Sequence, residues 1–121
     1  MAKRILIVDD EPYIVMVLRS RLEHLGYEVD EAFNGQEAYE RASKHPYDLM
    51  LLDFLMPDMG GHEVCRRLRR NDRLKSLPVI MVTAFSTKSR ESFKRDGAND
   101  VIFKPVDPEE LRTKILQLLQ K

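Results

Sequence analysis

The chain has 121 residues, 43% of them hydrophobic, with one Cys, no Trp and a formal net charge of zero. That zero hides a split, because residues 1–60 hold 12 acids and 6 bases whereas residues 61–121 hold 8 acids and 14 bases. The length predicts one domain over residues 1–121, and the composition excludes a disordered polymer, a disulfide scaffold and a membrane span of ~18 apolar residues.

The first apolar run, Arg4-Ile-Leu-Ile-Val8, reads as a strand and is followed by Asp9-Asp10-Glu11. Pro12 to Leu25 places Ile14, Val17, Leu18, Leu22 and Leu25 at helical spacing, with Gly26 as the stop. Tyr27-Glu-Val-Asp30 alternates apolar and polar residues, the pattern of a sheet edge. A short helix, Gln36 to Ser43, starts after Asn34-Gly35. Leu49-Met-Leu-Leu52 is a third strand closed by Asp53, and His62 to Arg70 is a mostly polar helix with few apolar contacts. Val79-Ile-Met-Val82 leads into Thr83-Ala84, and Lys88 to Arg95 forms a fourth, mostly polar helix. Val101-Ile-Phe103 is the last strand, followed by Lys104-Pro105. Asp107 and Pro108 supply an N-cap and a first-turn proline for Pro108 to Leu119, where Leu111, Ile115, Leu118 and Leu119 share a face. The four apolar strands read as buried on both faces, and five strands alternating with five helices predict an α/β fold around a parallel sheet. The lone Cys65 leaves no internal disulfide, no signal-peptide pattern precedes the first strand, and a reducing cytoplasm is the expected location.

Ligands of open parallel sheets bind beyond the carboxyl ends of the strands. Asp9, Asp10, Glu11, Asp53, Thr83 and Lys104 then fall on one rim. Like charges that close disfavour ionisation unless a cation compensates, and Lys104 neutralises only part of the charge. An all-oxygen ligand set with open positions suits Mg²⁺. A carboxylate beside such a metal can attack phosphorus to give an aspartyl phosphate, with the ammonium and the Thr hydroxyl stabilising the phosphoryl oxygens. Taken singly, each element has a plain reading: a solvated turn, a helix N-cap, a common strand end. Their coincidence at four expected strand ends carries the functional one.

Ile7-Val-Asp-Asp-Glu11, Asp53-Phe-Leu-Met-Pro57 with Asp58-Met-Gly-Gly61, Val82-Thr-Ala84, Gly97-Ala98 and Phe103-Lys-Pro105 resemble, in this order, the receiver domain of two-component response regulators of the chemotaxis-regulator type. The similarity runs from Ile5 to Leu119. It implies a single doubly wound (βα)5 domain with strand order 2-1-3-4-5, flavodoxin-like. It also implies that Asp53 accepts a phosphoryl group from a histidine kinase, a phosphotransfer protein or a small phosphodonor. By the same resemblance Asp10 and Asp53 ligate Mg²⁺ (or Mn²⁺ in its place), the Leu55 backbone carbonyl is a third ligand, and Asp9 acts through water. Lys104 pairs with the phosphoryl group, Thr83 and Phe103 form the switch pair, and the Lys104–Pro105 peptide is cis.

Readout is expected at the fourth helix, fifth strand and fifth helix, toward a downstream protein, a fused output domain or a phosphorylation-dependent homodimer. Lys88, Arg90, Asp100, Glu110 and Lys114 are candidates for paired charges there, although Val106 stands where the family usually has Phe, and a solvated charged surface is the plainer reading. Leu55, Ala84 and Phe85 are expected to flank the phosphoryl site. Large apolar groups at 55 and 85 would hinder an attacking water, so slow self-dephosphorylation is expected.

A haloacid-dehalogenase-type phosphohydrolase would need a second Asp two residues after its nucleophile, where Leu55 stands. Turnover of an external substrate is therefore disfavoured. A flavin binder would meet the repulsive Asp9-Asp10-Glu11, and a scaffold-only receiver would lose one of Asp10, Asp53, Thr83 or Lys104. The segment Arg66 to Lys75 carries six bases but no interleaved aromatics, so direct nucleic-acid binding is not expected, nor is membrane association. His24, His45 and His62 lack ligand spacing, and the Met residues at 50, 56, 59 and 81 read as packing. Cys65 reads as a small, unreactive residue, with Arg66 and Arg67 as the only cations that would argue otherwise.

Overall fold

The computed structural model describes residues 2–84 and 88–120. Along the chain it alternates β1 (Arg4–Val8), α1 (Pro12–His24), β2 (Glu28–Ala32), α2 (Gly35–Lys44), β3 (Leu49–Leu52), α3 (Gly61–Arg70), β4 (Val79–Thr83), α4 (Arg90–Arg95), β5 (Asp100–Phe103) and α5 (Pro108–Leu119). The strands form one parallel sheet in the order β2-β1-β3-β4-β5, so the expected doubly wound α/β architecture is present. None of the described helices is long and apolar enough to cross a membrane.

Alternation along each strand feeds two separate cores. Leu6, Val8, Met50, Leu52, Met81 and Val101 face α2, α3 and α4, where Ala38, Val64, Leu68 and Phe93 cover them. Ile5, Ile7, Leu49, Leu51, Ile80 and Ile102 face α1 and α5, packed under Val15, Leu18, Leu22, Leu111 and Ile115. A strand with apolar residues at every position is thus what a sheet covered on both faces demands.

Several local expectations need correction. In α1 the buried stripe is Val15, Leu18 and Leu22, while Leu25 is the exposed C-cap residue beyond the last helical turn. The second strand is Glu28–Ala32 rather than Tyr27 to Asp30, because the Tyr27 amide turns back to the Leu22 carbonyl and Gly26 sits at φ 95°. Its five residues then pair one to one with Arg4 through Val8. Its polar residues do mark a sheet edge, where Arg19 of α1 donates to the Val29 carbonyl and pairs with Glu31. The charged sequence of α3 hides a fully buried stripe of Val64, Cys65 and Leu68. The fourth helix starts at Arg90, since the Ser89 side chain accepts from the Ser92 amide and caps it, leaving Lys88 in the preceding loop.

Candidate functional site

Register alone brings the acids together. Val8 of β1 pairs with Leu52 of β3, so Asp9 and Asp53 emerge side by side one residue further on. The Asp53 amide donates to the Val8 carbonyl at 2.9 Å and fixes that placement. β1 and β3 are also the two strands between which the chain reverses its direction of growth across the sheet, the place where such folds open a crevice. On the other side, Thr83 pairs with Phe103, and the Lys104 amide donates to the Thr83 carbonyl at 2.9 Å. Four strands thereby deliver Asp9, Asp53, Thr83 and Lys104 to one rim.

Asp9 is 2% exposed and Asp53 5% exposed, while Asp10 stands in solvent. One carboxylate oxygen from each of the three can be chosen so that all lie within 4.8 Å of one another. Lys104 Nζ lies 2.8 Å from Asp9 Oδ2, 3.6 Å from Asp53 Oδ2 and 3.7 Å from Glu11 Oε1. Burial, and then the neighbouring Asp9 charge, push the Asp53 carboxyl above its ordinary value. Lys104, the Leu55 amide and a Thr83 side-chain hydrogen bond pull the other way without cancelling that rise. Burial alone would lower the Lys104 ammonium, but its hydrogen bond to Asp9 and the Asp53 charge hold it above the ordinary lysine value. Two buried carboxylates and an adjacent exposed one, compensated by one ammonium, form a donor set that fits a hard divalent cation.

The segment after Asp53 is held tightly. The Leu55 amide donates to Asp53 Oδ1 at 3.3 Å, and the Gly61 amide donates to the Phe54 carbonyl at 2.9 Å. A Cβ at Gly61 would stand 2.6 Å from the Asp53 carbonyl oxygen, so only glycine allows α3 to start this close to the site. Asp58 adopts a positive φ of 68° in the same loop, and the Leu55 side chain is 53% exposed on the rim. Ala84 is exposed beside Thr83, and Phe85 lies outside the described residues. The Lys104–Pro105 peptide is cis, as the resemblance implies.

Sequence reading missed what lies behind Phe103. Phe103 is half-buried and packs edge-on against Phe93 of α4 at 6.1 Å, and Phe93 packs edge-on against Phe54 at 5.3 Å. Lys88 sits over both the Phe54 and Phe93 rings and pairs with Asp96 at 2.8 Å, not with the charges of β5 and α5. The expected network keeps four members: Lys114 bonds Asp100 at 2.9 Å, and Arg90 lies between Asp100 and Glu110 at 3.9 and 3.8 Å. The signal available in the sequence was Phe93, the one aromatic in an otherwise polar helix. Cys65 is buried, its thiol pushed up to about 12 by that burial, and the cation near it is Arg69 rather than Arg66 or Arg67. A groove of about 650 Å³ between α1 and α5 holds none of the rim residues.

The family model of the response regulator receiver domain matches residues 5–116. The response regulator ArlR of Staphylococcus saprophyticus is 39% identical over 119 residues, which are 98% of this chain and 53% of that protein. The chain thus spans about half the length of the curated relatives it matches. Among solved structures, a CheY-like receiver domain protein from Methanospirillum hungatei aligns over 99% of this chain and 95% of its own, with 34% identity and a TM-score of 0.89. The response regulator TrrA of Thermotoga maritima, solved in complex with Mg²⁺ and BeF, aligns over 97% and 99%, with 38% identity and a TM-score of 0.88.

Proposed function

The chain belongs to the response regulator receiver family, and on that premise we propose that it is a phosphorylation switch with Asp53 as the phosphoacceptor. The observation that carries the reading is the convergence of Asp53, Asp9, Asp10, Thr83 and Lys104 on one rim. An Asp53 carboxylate oxygen attacks the phosphorus of a phosphohistidine on a kinase or phosphotransfer protein. The new P–O bond forms as the P–N bond breaks, and the departing imidazole nitrogen keeps the electron pair and takes up a proton. A small acyl phosphate donates in the same way, with a carboxylate leaving. Asp53, Asp10 and the Leu55 carbonyl would hold Mg²⁺ (or Mn²⁺ in its place), with Asp9 assisting through water. When bound, the metal offsets the clustered carboxylate charge and the charge of the phosphoryl oxygens.

Lys104 supplies the remaining positive charge from its position between Asp9 and Asp53. Thr83 gives up its hydrogen bond to the Asp53 carboxylate and donates to the phosphoryl oxygens instead. The Phe103 ring follows, which biases the face of α4, β5 and α5 toward a second arrangement. That face addresses a downstream protein, a fused output domain or a second phosphorylated copy. The site turns over no external substrate, since Leu55 offers no acid–base group two residues after Asp53. A chain of this kind works in the cytoplasm.

Beryllofluoride, the probe suggested by the TrrA complex, tests the reading. Titrated with Mg²⁺, it should change the amide resonances of Thr83 and Lys104 and the elution volume of wild type, and leave Asp53→Asn unaffected. Equal responses in both proteins, or none in wild type, would refute it.

A further inference from the structure

Outside the acidic rim, the basic segment that begins at Arg66 meets α4. A cleft of about 360 Å³ opens between α3 and α4, lined by His62, Arg66, Arg69, Arg70 and Arg95, with Asp96 as its acid. Both acids that could neutralise it are engaged: Asp96 with Lys88 at 2.8 Å, and Glu63 with Arg66 and Arg67. Among the described residues, no carboxylate forms an ion pair with Arg69, Arg70 or Arg95.

Arg69 is the unusual member. Its guanidinium is half-buried and donates to the Gly97 carbonyl at 2.7 and 3.0 Å, the Leu77 carbonyl at 2.7 Å and the Asn99 side chain at 3.1 Å. All of these acceptors are neutral, so the group is fixed in place while its charge stays uncompensated. Burial pushes its pKa below the ordinary arginine value. Arg70 and Arg95 stand exposed at the C-terminal ends of α3 and α4. Those helix ends contribute roughly half a negative charge each, which against three arginines leaves the cleft at about +2.

We propose that this cleft binds a small anion carrying at least two phosphate groups, recognised by Arg70 and Arg95 over the fixed charge of Arg69. A guanidinium fork matches phosphate oxygens in pairs, and two phosphates supply the charge that the cleft lacks. The concave shape and the absence of Phe, Tyr or Trp among its lining favour a compact anion over a nucleic-acid strand, which needs stacking platforms or a long basic track.

The test is calorimetric titration of the whole chain with inorganic pyrophosphate in metal-free buffer, where the acidic rim repels the same ligand. Saturable one-to-one binding is expected. Arg70→Glu/Arg95→Glu, two exposed positions, should weaken it by about tenfold or more, in line with the loss of charge-assisted hydrogen bonds. Arg21→Glu/Arg112→Glu makes the same charge change on α1 and α5, exposed positions on the opposite side of the sheet, and should leave affinity within about twofold, since screening at a Debye length of ~10 Å mutes distant charges. No saturable binding, or equal loss in both variants, would overturn the site. A DNA duplex that binds more tightly than pyrophosphate and is lost in the first variant alone would overturn the small anion in favour of nucleic acid.

Discussion

Lys104 Nζ sits 2.8 Å from Asp9 Oδ2 but 3.6 Å from Asp53 Oδ2. The lysine is therefore bonded to the neighbouring acid and only in Coulombic reach of the proposed phosphoacceptor. Burial and then the adjacent Asp9 charge hold the Asp53 carboxyl above its ordinary value, and the nearby ammonium offsets this only in part. An arriving phosphoryl group then offers Lys104 a stronger partner than it has at rest.

Removing that ammonium strands two buried carboxylates. Lys104→Met should lower unfolding stability by about 3 kcal/mol in metal-free buffer, the scale for breaking one side of a buried pair. Added Mg²⁺ should restore part of the loss through binding to the folded state. Chemical denaturation with and without the metal measures both effects.

Gly61 sets how close α3 comes to the site. Gly61→Ala would press a methyl group against the Asp53 carbonyl at 2.6 Å and the Phe54 Cα at 2.9 Å. A cost of about 1–3 kcal/mol is expected from overpacking. Slower phosphorylation from acetyl phosphate should accompany it, because the backbone that aims Asp53 must shift. Unchanged stability and rate would show that the loop has slack.

Strand identity and the rim were legible because both follow from local pattern. Apolar runs such as Arg4 to Val8 fix the strands, and the residues that end them fix Asp9, Asp53, Thr83 and Lys104 on one side. What was not legible depends on packing at a distance. Leu25 leaves the α1 stripe because the helix ends at His24, and Val15 joins Leu18 and Leu22 as the third buried residue. The Phe103–Phe93–Phe54 ring contacts join β5 and α4 to the loop after β3, which lies far from both along the chain. Lys88 leaves the expected charge network because the Ser89 cap starts α4 one residue after it, and Asp96 lies nearer.

The Leu55 side chain is 53% exposed two residues after Asp53, and we propose that it hinders water from reaching an aspartyl phosphate there. Leu55→Asn, alone and with Phe85→Glu, should shorten the aspartyl phosphate lifetime several-fold by admitting and orienting that water. Acid-quench decay after removal of donor measures it. An unchanged lifetime in both variants would exclude steric shielding.

Tyr47 donates to Asp30 Oδ2 at 2.6 Å. Burial, and then this bond, push the phenol up to about 12, while the same bond leads in holding Asp30 below its ordinary value. Unfolded tyrosine ionises near ~10, so the stabilisation tied to the neutral phenol is lost as pH rises from there through the folded value of about 12. Asp30 contributes above its unfolded value of ~3.9, and that contribution is lost as pH falls through its lowered folded value. Tyr47→Phe should remove the last phase of the phenolate absorbance titration. Near neutrality it should cost about 1 kcal/mol, a deficit that disappears in strong acid.

Phosphoryl transfer to Asp53 is tested most directly by intact-mass spectrometry after incubation with acetyl phosphate and Mg²⁺. Wild type should gain the mass of one phosphoryl group, lose it on mild base treatment and fail to gain it when the metal is chelated. Asp53→Asn should gain nothing. Equal modification of the two proteins, or a wild-type gain that ignores Mg²⁺, would contradict Asp53 as a metal-dependent phosphoacceptor.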